Sequence, residues 1–225
     1  MNIKETQTQL ISLSKMEVMP KDHTDYLLDL KEKHGVEPKV IYDIGSCVLH
    51  WVAKASKIWT ESKFYLFDGM DSVGFLYEDN GYEYNIDVLS DVDDKEITFY
   101  QSDVSPGGNS YYKEYSWATE IHYGKDSERT VKTMTLDTVV KKRKFLYPDL
   151  IKLDVQGCEV DILKGATEVL KHCTDIIVEL QHSEYNIGAP LTNVSIPFIE
   201  SLGFKLITPL FCNNGPDGDY HFKKI

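Results

Sequence analysis

The chain alternates short apolar runs with amphipathic stretches, and this order predicts its elements. Val40–Ile44 follows Pro38 and precedes Gly45, which marks a buried strand. Residues 48–58 then place Val48, Val52 and Ala55 near helical spacing. Residues 64–67 and 84–89 read as second and third strands, and 97–100 as an outer strand beyond the acidic turn 91–94. Residues 135–144 predict a helix capped by Thr133 or Thr135, with a basic last turn. The stretch 149–166, DLIKLDVQGCEVDILKGA, is a buried strand, a tight turn at Gly157 and a helix carrying Val160, Leu163 and Ala166. Residues 175–180 give a fifth strand, 196–202 a helix, and 204–207 with 219–222 the closing strands. Upstream, 21–35 predicts a helix capped by Asp22 or Thr24 and stopped at Gly35, while 1–20 carries no strong period. Strands and helices in alternation, closed by two successive strands, imply a mostly parallel sheet with an antiparallel end.

In such a sheet ligands bind at the C-terminal ends of the strands, and there this sequence concentrates its carboxylates. The first strand ends at Asp43-Ile44-Gly45-Ser46, the second at Asp68-Gly69, and the third brings Asp87 and Val88 to the same edge. Asp68 follows Asp43 at about the spacing at which an acidic residue meets ribose hydroxyls, since a carboxylate accepts both hydrogen bonds of a vicinal diol. The fourth strand delivers Asp154, and the fifth delivers Glu179 with His182 just beyond. A long segment, 102–129, carries Pro106-Gly107-Gly108 and then Tyr111, Tyr112, Tyr115 and Trp117. Its length and its hydroxyl-tipped rings suit a lid over a polyhydroxylated substrate.

Composition narrows the partners. Thirty-six acidic against 24 basic residues give a formal charge of -12, which disfavours a nucleic-acid partner. Four dispersed cysteines lack zinc spacing and read as reduced thiols of a cytoplasmic protein. No apolar run approaches the roughly 20 residues of a membrane span, and the polar start is unlike a signal peptide. A homodimer remains open.

Several blocks together resemble the FkbM-type family of class I S-adenosylmethionine-dependent methyltransferases. They are Tyr42-Asp43-Ile44-Gly45-Ser46, Leu89-Ser90-Asp91, Ile151 to Glu159 with Leu163 to Ala166, and Ile177-Val178-Glu179. The resemblance runs from about Val40 to Phe222. It implies an α/β, Rossmann-like fold: a seven-stranded, mostly parallel sheet with one antiparallel strand and helices on both faces. Residues 1–35 become an N-terminal helical extension and 36–225 the methyltransferase domain. The implied reaction is O-methylation of a sugar, glycan or related small molecule. Asp43, Gly45 and Ser46 would lie along the methionine part of the cofactor, Asp68 and Gly69 at the ribose, and Asp87 and Val88 at the adenine. The departures are Leu49 for a second glycine, Asp68-Gly69 for Glu-Pro, and Gln156 for a common glutamate.

Methyl transfer to a hydroxyl needs alignment and a base, or a cation beside the developing alkoxide. Asp154, Glu179 and His182 are the residues placed for either task. In one version they hold Mg2+ or Mn2+, and in the other Asp154 or His182 is the base. Glu159 reads as a first-turn glutamate serving the helix. Two alternatives from other classes are a non-catalytic cofactor-binding module of a glycan-assembly system and a nicotinamide-dependent oxidoreductase.

Overall fold

The structure, a computed structural model, describes residues 2–114 and 128–225. Strand β1 (Val40–Ile44) is buried along its whole length, as a central parallel strand covered on both faces must be. Val40, Tyr42 and Ile44 enter one apolar core and Ile41 the other. With β2 (Lys63–Asp68), β3 (Glu83–Ile86), β7 (Leu150–Leu153), β8 (Asp175–Gln181), β9 (Phe204–Asn213) and β10 (Asp217–Lys224) it forms a seven-stranded sheet. The order is β3-β2-β1-β7-β8-β10-β9, and β10 runs antiparallel to both of its neighbours. The connection reverses direction beside β1, so the crevice between the ends of β1 and β7 is a topological switch point.

Three further strands, β4 (Val88–Leu89), β5 (Glu96–Tyr100) and β6 (Glu128–Met134), make a small second sheet in the order β4-β6-β5. The third strand expected over 84–89 is therefore two. The chain leaves the main sheet after Ile86, and Asp87 sits at the break. Strand β6 went unread because it opens on Glu128-Arg129 and only Thr133 of its seven residues is buried. Tyr115 and Trp117 of the expected lid lie outside the described residues.

Helices cover both faces. On one side lie α1 (Ile3–Ser14), α2 (Lys21–Glu32), α3 (His50–Ile58) and α4 (Gly74–Asp79). On the other lie α5 (Leu136–Arg143), α6 (Glu159–Lys164), α7 (Val169–His172) and α8 (Thr192–Ser201). A capping box starts α1: Asn2 accepts from the Glu5 amide, and the Glu5 carboxylate accepts from the Asn2 amide. Leu10 of α1 and Leu27 and Leu30 of α2 are buried in the same core as Ile41, Trp51 and Leu66. The residues ahead of β1 thus share the core of the sheet.

Candidate functional site

The turn after β1 is held against the end of β7. Gly45 adopts φ +83°, and a Cβ there would lie 1.8 Å from the Asp154 carbonyl oxygen. Glycine is needed at this point by the protein's own backbone, before any ligand is considered. Two and four residues on, Cys47 (φ 47°) and Leu49 (φ 73°) also take left-handed conformations. Leu49 keeps the backbone form that suits glycine, at a strain of roughly 1 kcal/mol, and buries its side chain in the core. The sequence departure at this position therefore preserves the turn.

A cleft opens above this turn. Its walls include Ile44, Phe67, Val88, Leu89, Phe99 and Ile162, and Gly45, Asp68, Gly69, Asp87, Asp154 and Val155 face it. The Asp68 carboxylate accepts from the amides of Cys47 (2.7 Å) and Met70 (2.8 Å) and from the Tyr77 hydroxyl (3.3 Å). Burial raises its pKa, and the two amides pull it back. Its Oδ1 receives just one of these three bonds, which leaves capacity for a ligand hydroxyl. Asp87 is oriented by the Asn85 amide at 2.8 Å. Sequence reasoning missed Asn109, whose Oδ1 accepts from the Ser102 amide at 2.7 Å. That bond fixes the amide's orientation, and its Nδ2 is a buried donor without a partner on the cleft wall. The cleft thus combines apolar walls with carboxylates and a buried amide donor.

An adjoining pocket shares Gly45, Cys47, Gly107 and Asp154 with the cleft. Its far side is lined by Val18, Met19, Pro20, His23, Trp51, Lys152, Glu179, Asn214 and Asp219. The Lys152 ammonium is buried 3.1 Å from Asp154 Oδ2 and 3.6 Å from Asp43 Oδ1. Burial opposes its charge, but Asp154 and Asp43 outweigh burial and raise its pKa. Burial lifts the fully enclosed Asp43 to about 6 despite Lys152.

Asp154 and Glu179 are brought together. The Gln156 amide nitrogen donates to Glu179 Oε2 at 2.9 Å and lies 3.4 Å from Asp154 Oδ1. Asn214 donates to Glu179 Oε1 at 2.9 Å. Burial pushes Asp154 up, yet Lys152 and the hydrogen bond from Glu179 carry it below its ordinary value. Burial and the charges of Asp154, Asp217 and Asp219 push Glu179 well up. The pair therefore divides its roles: Asp154 ionised, Glu179 holding the proton.

His182 is not part of this group. Its Nδ1 meets the Tyr220 hydroxyl at 3.0 Å, and it is absent from the walls of both pockets. Asp154, Glu179 and His182 thus do not converge as a metal-ligand set. Among the described residues the His, Cys and carboxylate atoms that do converge are those of His23, Cys212 and Asp219. There Trp51 Nε1 donates to His23 Nε2 at 2.9 Å, which leaves the proton on Nδ1, facing Asp219 Oδ2 at 2.9 Å. With both ring nitrogens engaged, His23 is a brace between α2, α3 and β10 and has no lone pair for an ion. Glu159 is turned inward: its Oε1 accepts from the Val155 and Gly157 amides at 3.1 and 3.2 Å. Tyr111 and Tyr112 both reach Asp161 Oδ2, at 3.3 and 2.8 Å.

Residues 49–206 match the Methyltransferase FkbM domain family. The chain belongs to this family. The hexuronic acid methyltransferase AglP of Haloferax volcanii is 34% identical over 55 residues, 24% of this chain and 23% of that protein. A Klebsiella pneumoniae protein assigned as an O-methyltransferase superposes with a TM-score of 0.53 at 8% identity, covering 99% of this chain and 89% of that one. Human N-acetylserotonin methyltransferase, solved with S-adenosylmethionine, superposes with a TM-score of 0.50 at 8% identity. It covers 99% of the FkbM-domain chain and 56% of its own, so this chain spans little more than half of that enzyme. These likenesses establish the class I methyltransferase fold for the FkbM-domain protein. No described helix is long and apolar enough to cross a membrane.

Proposed function

We propose that this FkbM-domain protein is a cytoplasmic S-adenosylmethionine-dependent O-methyltransferase acting on a sugar or similar polyhydroxylated small molecule. The observation that supports the cofactor is a cleft lined by Asp68, by apolar side chains and by Asn109, whose buried Nδ2 has no partner among the described residues. Asp68 takes a ribose hydroxyl, Asn109 donates to a ring acceptor of the base, and Asp87 and Val88 border the adenine. The turn at Asp43, Gly45 and Ser46 directs the methionine arm toward Asp154. S-adenosylmethionine supplies an electrophilic methyl group on a sulfonium.

The acceptor hydroxyl lies in the second pocket, where Asp154 takes its proton as the new O–CH3 bond forms and the S–CH3 bond breaks. Lys152 keeps Asp154 ionised for that task. Positive charge beside Asp154 comes from this lysine, so the reading needs neither Mg2+ nor Mn2+ and leaves His182 outside the chemistry. Glu179 holds the acceptor through its shared proton, and residues 1–35 act as part of the catalytic unit. The test is a mass-spectrometric screen of sugars and glycans for the gain of a methyl group, with and without EDTA. A methylated product formed at the same rate in EDTA supports the reading. Binding of NAD in place of S-adenosylhomocysteine overturns it.

A further inference from the structure

At the edge of the sheet opposite the cleft the charge of the chain reverses. Helix α5 closes with Lys141, Lys142 and Arg143, and Lys144 follows in a left-handed turn (φ 58°). All four residues are exposed, in a chain of formal charge -12. Arg143 donates to the Tyr84 carbonyl at 3.0 Å, whereas Lys141, Lys142 and Lys144 form no ion pair among the described residues. The two carboxylates that share a pocket with Lys141 and Lys144 are already engaged. Asp137 accepts from the Thr167 hydroxyl and from the amides of Glu168 and Val169, and Glu168 pairs with Lys171 and His172. Asp93, which feels Lys142, accepts from the Thr135 amide and the Thr138 hydroxyl.

Directly after these cations the chain turns apolar and outward. Phe145 is buried against Tyr65, with ring centroids 4.3 Å apart, and Pro148 is buried as well. Between these two anchors Leu146 is 59% exposed and Tyr147 42%. The tip is held in place: the buried Tyr42 donates its hydroxyl to the Leu146 carbonyl at 2.6 Å, and the Tyr147 ring stacks on His172 at 3.9 Å. Cations in a last turn complement the helix dipole. That effect accounts for the lysines of the turn and leaves the two exposed side chains beside them unaccounted for. A single exposed leucine is ordinary. A leucine and a tyrosine pinned outward at the end of four successive cations match the composition of a bilayer-surface anchor.

We propose that residues 141–147 form a docking surface for an anionic bilayer, in which Lys141, Lys142 and Lys144 meet lipid phosphates, Leu146 enters the acyl boundary and Tyr147 lies at headgroup level. Charge complementarity fixes the sign of the occupant. The apolar tip favours a bilayer over an acidic protein, because lipids diffuse to the lysines while their chains receive the leucine. The net charge of the chain opposes approach, but at physiological ionic strength exposed charges beyond about 8 Å are largely screened. The local patch therefore sets the orientation. Leu146 and Tyr147 precede β7, and Asp154 follows its other end. Docking thus leaves the cleft open to water on the side away from the lipid. The inference stands independently of the methyltransferase reading.

Flotation of the full chain with vesicles of phosphatidylcholine, alone or mixed with phosphatidylglycerol, tests this. The chain should bind the mixed vesicles at least about tenfold more tightly than the neutral ones, and added salt should release it. Lys141→Gln combined with Lys144→Gln should weaken that binding at least about tenfold, and Leu146→Ser at least about threefold. Lys4→Gln, on α1, should change it by less than about twofold. Melting curves confirm that each variant is folded. Equal binding to the two kinds of vesicle overturns the proposal, as does undiminished binding by the double lysine variant or by Leu146→Ser. Binding of soluble polyglutamate by a chain that ignores the mixed vesicles overturns it in favour of an acidic protein partner.

Discussion

Lys152 of β7 holds its buried ammonium 3.1 Å from the carboxylate of Asp154, the residue just past the end of that strand. A buried cation beside the carboxylate keeps it charged where burial alone would neutralise it. Asp154→Asn preserves the shape and removes the base. Turnover should fall at least about a hundredfold, with S-adenosylhomocysteine affinity within a few-fold of the parent. Single-turnover kinetics and calorimetry check the two halves of this statement, and retained turnover would remove Asp154 from the chemistry.

The cleft's polar contacts separate by role. Asp68→Asn costs the proposed ribose acceptor and one turn contact, and Asn109→Ala removes the proposed adenine donor. Each should weaken S-adenosylhomocysteine by about tenfold and leave the relative rates among acceptors as they were. Calorimetry on both variants, with melting curves to confirm folding, is the measurement.

The glycines near the site make a matched pair. At Gly45 a Cβ meets the Asp154 carbonyl at 1.8 Å and φ is +83°, whereas a Cβ at Gly107 meets nothing within 4 Å. Gly45→Ala should destabilise by at least about 3 kcal/mol or prevent folding. Gly107→Ala should melt within a degree or two of the parent. Equal melting temperatures would show that the β1 turn yields more easily than its packing implies.

Sequence patterning carried most strands of the main sheet and their acidic ends because each depends on local signals: apolar runs, a following glycine, a carboxylate at the boundary. Asp43, Asp68 and Asp154 were legible in this way. Asn109 was not, since its meaning lies in a hydrogen bond to Ser102 and a missing partner in the cleft. His23 and Asp219 were equally hidden, because what makes them neighbours is the docking of α2 on β10. Gln156, where a glutamate is common, places its amide between two carboxylates that a glutamate would repel. His182 also follows a strand end, but its ring meets Tyr220 and lines neither pocket.

Buried carboxyls set the direction of the pH dependence of stability. Burial raises Glu159 to about 7, Asp43 to about 6 and Asp217 to about 6, each above its unfolded value. Between about pH 5 and 7 the folded chain therefore holds protons that the unfolded chain has lost, and stability falls as pH rises through that window. Glu159→Gln keeps an acceptor for the Val155 and Gly157 amides but removes the charge. It should recover roughly 3 kcal/mol at pH 8 relative to pH 5. Urea denaturation of parent and variant at both pH values checks it, and parallel pH profiles would contradict the assignment.

The bond between His23 and Asp219 joins residues 196 positions apart in the chain. The second pocket is therefore a long-range product of folding: its His23 side and its Asp219 side meet only when β10 joins the sheet, so truncation before β10 would leave α2 without that tie.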